Sequence, residues 1–198
     1  MMNGFEKRAN LIKEKIKKTT LGLLRTSDPK RIRVADISKQ ANVSQVTIYN
    51  YFGSKEALLR EVIKDYLDKG TADFEEVMKK GLSLREKIEY IIFLEKEIYK
   101  ELPLGVLKEL ISEDQELTAY IEEQYNQKAI PLTIQMIQEG KESGEISDHI
   151  SIENVLVFIQ LYMNQYETLL DMAQKSGDMD KFLEGMVHMF FYGVCGKS

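Results

Sequence analysis

Apolar residues recur at intervals of three and four along nearly the whole chain, and no strand-like alternation persists. A first helix is expected over 5–25, with Phe5, Ile12, Ile16 and Leu23 on its buried stripe. Ser27-Asp28-Pro29 breaks it. Two short helices, over 34–40 and 44–50, meet at a turn around Asn42, and Gly53 ends the second. Ser54 is placed to cap the next helix, which carries Leu58, Leu59, Val62, Ile63, Tyr66 and Leu67 to about Gly81. Ser83 and Glu86 form a capping box opening a helix through about Glu101. Pro103 starts a shorter helix, and Ser112-Glu113-Asp114-Gln115 reads as a further box-like start. Pro131 should kink or interrupt the helix that follows. Two final helices are expected over 152–175 and 179–194, on either side of Gly177. About nine helices and an all-α fold result.

The pair over 34–50 has the proportions of a helix-turn-helix, with a recognition helix near 44–50. Ser38 supplies the small residue where the two helices cross. Asn42 is the non-glycine residue best suited to a left-handed turn. Ile48 is placed to be buried, and Ile37, Ala41, Val43 and Phe52 complete a small core. Ser44, Gln45, Thr47, Tyr49 and Asn50 then point outward, with Tyr51 and Lys55 close by. Such a set suits a DNA major groove, because Gln and Asn pair with adenine edges and a Thr methyl meets a thymine methyl. Tyrosine hydroxyls and lysines suit the phosphates alongside. Lys55 falls in the first turn of a helix, where free backbone N–H groups also favour an anion.

Charge sharpens this picture. The net charge of -5 conceals 14 Lys and Arg against 6 Asp and Glu in residues 1–64, and 13 against 26 in the remainder. A polyanion attracts the first segment and is repelled by the second.

Residues 33–59 resemble the DNA-binding signature of the tetracycline-repressor (TetR) family. The elements that match are Asp36-Ile37, Ala41, Val43-Ser44, Thr47-Ile48-Tyr49, Tyr51-Phe52 and Ser54-Lys55-Glu56 with Leu58. Three positions depart from the family's pattern. Arg33 stands where Thr is usual, which removes a helix cap and alters a phosphate contact. Asn42 replaces Gly, and Val46 is bulkier than the usual small residue and is placed to touch a thymine methyl. The DNA-binding candidates are thus Arg33, Ser44, Gln45, Val46, Thr47, Tyr49, Asn50, Tyr51 and Lys55. The resemblance implies a head over 1–53 and a helical domain over 54–198 that dimerises and binds a small molecule.

The residues lend that larger domain separate support. The two final helices carry more apolar surface than one internal face requires, and Phe158, Phe182, Met186, Met189 and Phe190 are candidate interface residues. A wholly intramolecular core is the alternative. Tyr90, Phe93, Tyr120, Tyr125, Met136, Tyr162, Met163 and Tyr166 are candidate pocket residues, although for any one of them plain core packing is the favoured reading.

Catalysis finds little footing. His149 and His188 stand far apart without a metal-ligand spacing, and Cys195 has no local base. The expectation is a cytoplasmic, homodimeric DNA-binding regulator, with no enzyme activity, cofactor, metal or membrane partner. It would be a repressor released from a palindromic operator by a small-molecule effector. Two other readings stay open: a regulator that needs no ligand, and a helical protein–protein module that no longer binds DNA.

Overall fold

The computed structural model describes residues 4–194; the side chains of Phe5, Phe93, Met163, Tyr166 and Phe190, and the residue Cys195, lie outside those described. Among the described residues every regular element is helical, without a strand. Its elements are α1 (Gly4–Leu24), α2 (Val34–Ala41), α3 (Gln45–Phe52), α4 (Lys55–Lys79), α5 (Leu84–Glu101) and α6 (Leu104–Glu113). They continue with α7 (Gln115–Gln124), a π turn (Tyr125–Ala129), α8 (Ile130–Glu142), α9 (Ile152–Asn164), α10 (Tyr166–Lys175) and α11 (Met179–Val194).

Pro131 explains the π turn. It has no N–H to offer the carbonyl four residues back, and its ring crowds that carbonyl. The helix widens over Tyr125–Ala129 immediately before it. The expected helix over 152–175 is instead two, parted at Gln165 (φ -106°, ψ 8°), and neither Pro nor Gly accounts for that break. A second correction concerns the start of α7. Its cap is Asp114, whose Oδ1 accepts the Leu117 N–H at 3.0 Å, while Ser112 belongs to α6 and donates to the Glu109 carbonyl. The box at Ser83 forms as expected, with the Ser83 N–H donating to Glu86 at 2.8 Å.

The chain separates into two compact units, Met1–Gly70 with Glu97–Glu122, and Thr71–Lys96 with Glu123–Ser198. In the first, Ile16, Leu24, Ile37, Ala41, Ile48, Leu58 and Ile63 are fully enclosed. Leu102 and Leu117 join the same core, and Val106, Leu107, Leu110 and Ile111 pack against it. The head's core therefore recruits α6 and the start of α7, which local sequence does not suggest. Thr20 sits in the buried stripe of α1 and satisfies its hydroxyl on the Ile16 carbonyl at 2.9 Å.

The second unit centres on Met78, Leu84, Met136, Ile137, Ile146 and Val155. Gly140 lets α8 come close there: a Cβ at that position would lie 2.9 Å from Leu84 Cδ2 and 3.0 Å from Ile146 Cδ1. Lys87 is buried in this unit and reaches Glu139 on α8.

Candidate nucleic-acid interface

Every part of the helix-turn-helix is fixed by a short-range interaction. Arg33 takes the extended N-cap conformation of α2 (φ -105°, ψ 148°), but a guanidinium has no acceptor to offer the first-turn N–H groups. Asp36 reaches back instead, its Oδ2 accepting the Arg33 N–H at 3.2 Å. At the other end Asn42 turns left-handed (φ 49°, ψ 53°), as its side chain tolerates. The Ser38 hydroxyl donates to the Val43 carbonyl at 2.7 Å, tying α2 to the chain that enters α3.

Ser44 caps α3 by accepting the Thr47 N–H at 3.0 Å, and the two hydroxyls lie 2.8 Å apart. These two side chains thus spend part of their hydrogen-bonding capacity on the cap. Ile48 and Phe52 occupy the buried face of α3. On the other face Gln45, Val46, Tyr49 and Asn50 are exposed, Val46 at 67% and Tyr49 at 48%. Their spacing of three and four residues makes them one continuous stripe. Tyr51 is half-buried, its ring edge-on to Phe52, with Lys13 Nζ 5.6 Å from its centroid. Lys55 Nζ donates to the carbonyls of Pro29 and Ile32, each at 3.1 Å.

The basic surplus of the head is partly neutralised in place. Lys17 pairs with Glu14 and Asp65, and Lys30 with Glu109 and Glu113 at 2.9 and 2.8 Å. Arg60 bonds Asp114 and Glu116, each at 2.7 Å. Burial pushes the Asp114 carboxyl up, but Arg60 and the Leu117 N–H outweigh it and hold the group below the usual carboxylate range. Lys30, Arg60, Glu113, Asp114 and Glu116 line an open groove of about 690 Å³ in the first unit, with Lys55, Leu59 and Leu117. Arg31 keeps its side chain 86% exposed and lies 3.7 Å from Asp28. It precedes the motif of residues 33–59, so no pattern in the sequence marks it.

The pocket candidates are scattered in their surroundings. Tyr120, in the first unit, bonds Asp68 and carries Lys64 over its ring at 4.8 Å. In the second unit Tyr90 and Tyr125 are exposed, with Lys80 4.5 Å from the Tyr90 ring and Gln160 accepting the Tyr125 hydroxyl at 2.9 Å. Met136 is buried in the core, and Tyr162 stacks obliquely on Phe158 with centroids 5.0 Å apart. Of the interface candidates, Phe158, Phe182 and Met186 are half-buried and Met189 is exposed. Val157 and Leu161, one turn apart on α9, are exposed at 61% and 60%. Among the described residues no helix is long and apolar enough to cross a membrane.

Residues 18–62 match the family model of bacterial regulatory proteins of the tetR family. No curated protein sequence matches the chain. Among solved structures, the chain is similar to the transcriptional regulator FadR of Bacillus subtilis in complex with stearoyl-CoA. That likeness has a TM-score of 0.69 at 21% identity and covers 93% of this chain and 99% of that one. FadR of Bacillus halodurans, a regulator of fatty acid degradation, gives a TM-score of 0.66 at 17% identity, over 91% and 98%. A transcriptional regulator from Cytophaga hutchinsonii gives 0.70 at 17%, over 95% and 98%. At these identities the likeness establishes a shared fold.

Proposed function

We propose, from the match of residues 18–62 to the tetR family model, that the chain is a cytoplasmic, homodimeric transcriptional repressor of that family. Two copies of α3 enter successive major grooves of a palindromic operator, and a small molecule bound by the larger domain releases them. The observation that carries this reading is the division of labour on α3. One face is consumed by the core through Ile48 and Phe52, while Gln45, Val46, Tyr49 and Asn50 stand exposed with no structural task.

Gln45 and Asn50 then read base edges, Val46 and Thr47 offer methyl contacts to thymine, and Tyr49, Tyr51, Ser44 and Arg33 lie against the backbone. A single short helix contributes few base contacts, each good pair worth about 1–3 kcal/mol of discrimination, so a second copy on a symmetric site is needed for useful specificity. The exposed Val157, Leu161 and Met189 support a second copy bound through the final helices. The effector acts by favouring a separation of heads that cannot span both half-sites. Among the pocket candidates Tyr162 and Met136 are the described members held inside or partly inside the second unit. Stearoyl-CoA, present in the Bacillus subtilis structure, is the first effector to try.

The test is a binding titration with duplex DNA, comparing wild type with the Gln45→Ala, Tyr49→Ala double variant. Loss of binding with an unchanged circular dichroism spectrum and melting curve is the expected result. Equal binding by both proteins would refute the assignment of α3.

A further inference from the structure

Lys55 opens α4, where its position suggests a direct contact with a DNA phosphate, yet its ammonium is engaged elsewhere. Nζ donates to Pro29 O and Ile32 O, residues 26 and 23 positions earlier. Each of these carbonyls belongs to a peptide plane whose opposite edge is also held. The Lys30 N–H, on the plane of the Pro29 carbonyl, donates to Asp28 Oδ1 at 2.8 Å. The Arg33 N–H, on the plane of the Ile32 carbonyl, donates to Asp36 Oδ2 at 3.2 Å. A peptide unit is rigid, so holding both its edges fixes the orientation of the chain on either side.

Two such planes bracket Arg31, and the second leads directly into Arg33. Ile32 anchors the segment from within, only 4% exposed in the head's core. Arg31 and Arg33 project outward from it, Arg31 with its side chain 86% exposed. A loop rich in cations and free to move would have to be ordered on every encounter with DNA, whereas a pinned one has met that cost in advance.

We propose that Lys55 is a positioning residue for DNA binding: it clamps residues 29–33 so that Arg31 and Arg33 meet the phosphates. It acts through them rather than at a phosphate of its own. The proposal rests on the DNA-binding reading above.

A double-mutant cycle tests it, using the duplex that wild type selects from a randomised library. Affinity is measured over a range of salt concentrations for wild type, Lys55→Met, the pair Arg31→Ala with Arg33→Ala, and the triple variant. The clamp predicts that Lys55→Met weakens binding about tenfold in the wild-type background and less than about twofold once both arginines are gone, since its effect passes through them. In that second background the salt dependence is the same with or without Lys55. A direct phosphate contact predicts equal losses in both backgrounds and a salt slope lower by about 0.9 in each; that result overturns the proposal. Circular dichroism and melting curves check that each variant is folded, and Lys55→Gln replaces Lys55→Met in the cycle if the latter is not. A folded wild type that selects no duplex overturns the regulator reading and this proposal together, whereas additive losses overturn this proposal alone.

Discussion

The hydroxyl of Ser38 donates to the carbonyl of Val43 at 2.7 Å, bridging the turn whose apex is Asn42. The bond holds α2 against the entry to α3 and so fixes the turn between the two helices. Ser38→Ala leaves a half-buried carbonyl without this partner, at a cost of about 1 kcal/mol. Asn42→Ala forces an unsuited side chain into the left-handed region, costing about 1–2 kcal/mol, while Asn42→Gly is tolerated. Thermal melts of the three variants read these values, and a stable Asn42→Ala protein would mean that the turn is not held as described.

Lys87 and Glu139 make an asymmetric pair, for Lys87 has 7% of its side chain exposed and Glu139 39%. Glu139→Gln leaves a buried ammonium without its counter-charge, a loss of about 1–3 kcal/mol. Lys87→Met places an apolar chain of similar length in an apolar site and leaves a carboxylate that still reaches water, so it costs much less. Urea unfolding distinguishes the two. Equal destabilisation by both would show that the ion pair itself, rather than the burial of the amine, governs the site.

Asp114 ties the Arg60 side chain to the start of α7, and its carboxyl titrates below the usual range. A folded-state value lower than the unfolded one gives stability that is present above about pH 3.9 and lost as the pH falls through the folded value. Wild type should therefore lose more stability than Asp114→Asn as the pH is lowered from about 5 toward 3. Unfolding midpoints measured across that interval check the sign; parallel curves would remove Asp114 from the acid response.

Val157 and Leu161 form an exposed apolar step on α9. If a second copy covers it, Val157→Lys with Leu161→Lys yields a folded monomer in sedimentation velocity, where wild type sediments as a dimer. A monomeric wild type at micromolar concentration would contradict the proposed assembly.

What was legible in the sequence was local. Asn42 and the Ser83–Glu86 box each involve residues a few positions apart, so residue type and spacing fix the outcome. The buried set Ile37, Ala41, Ile48 and Phe52 followed from helical periodicity. For α7 the sequence offers two good caps, Ser112 and Asp114, and tertiary context selects Asp114. Pro131 announced an interruption without saying that it takes the form of a π turn. The recruitment of Leu102 and Leu117 to the head's core, and the engagement of Lys55 by Pro29 and Ile32, arise only once distant segments meet. No short-range pattern carries them.

The most direct test is selection from a randomised duplex library at two salt concentrations, with sequencing of the retained DNA. The account predicts a palindrome with two half-sites about one helical turn apart and a steep loss of affinity at the higher salt. Folded protein that retains DNA weakly and without a shared sequence would contradict it, and would favour a helical module whose partner is another protein.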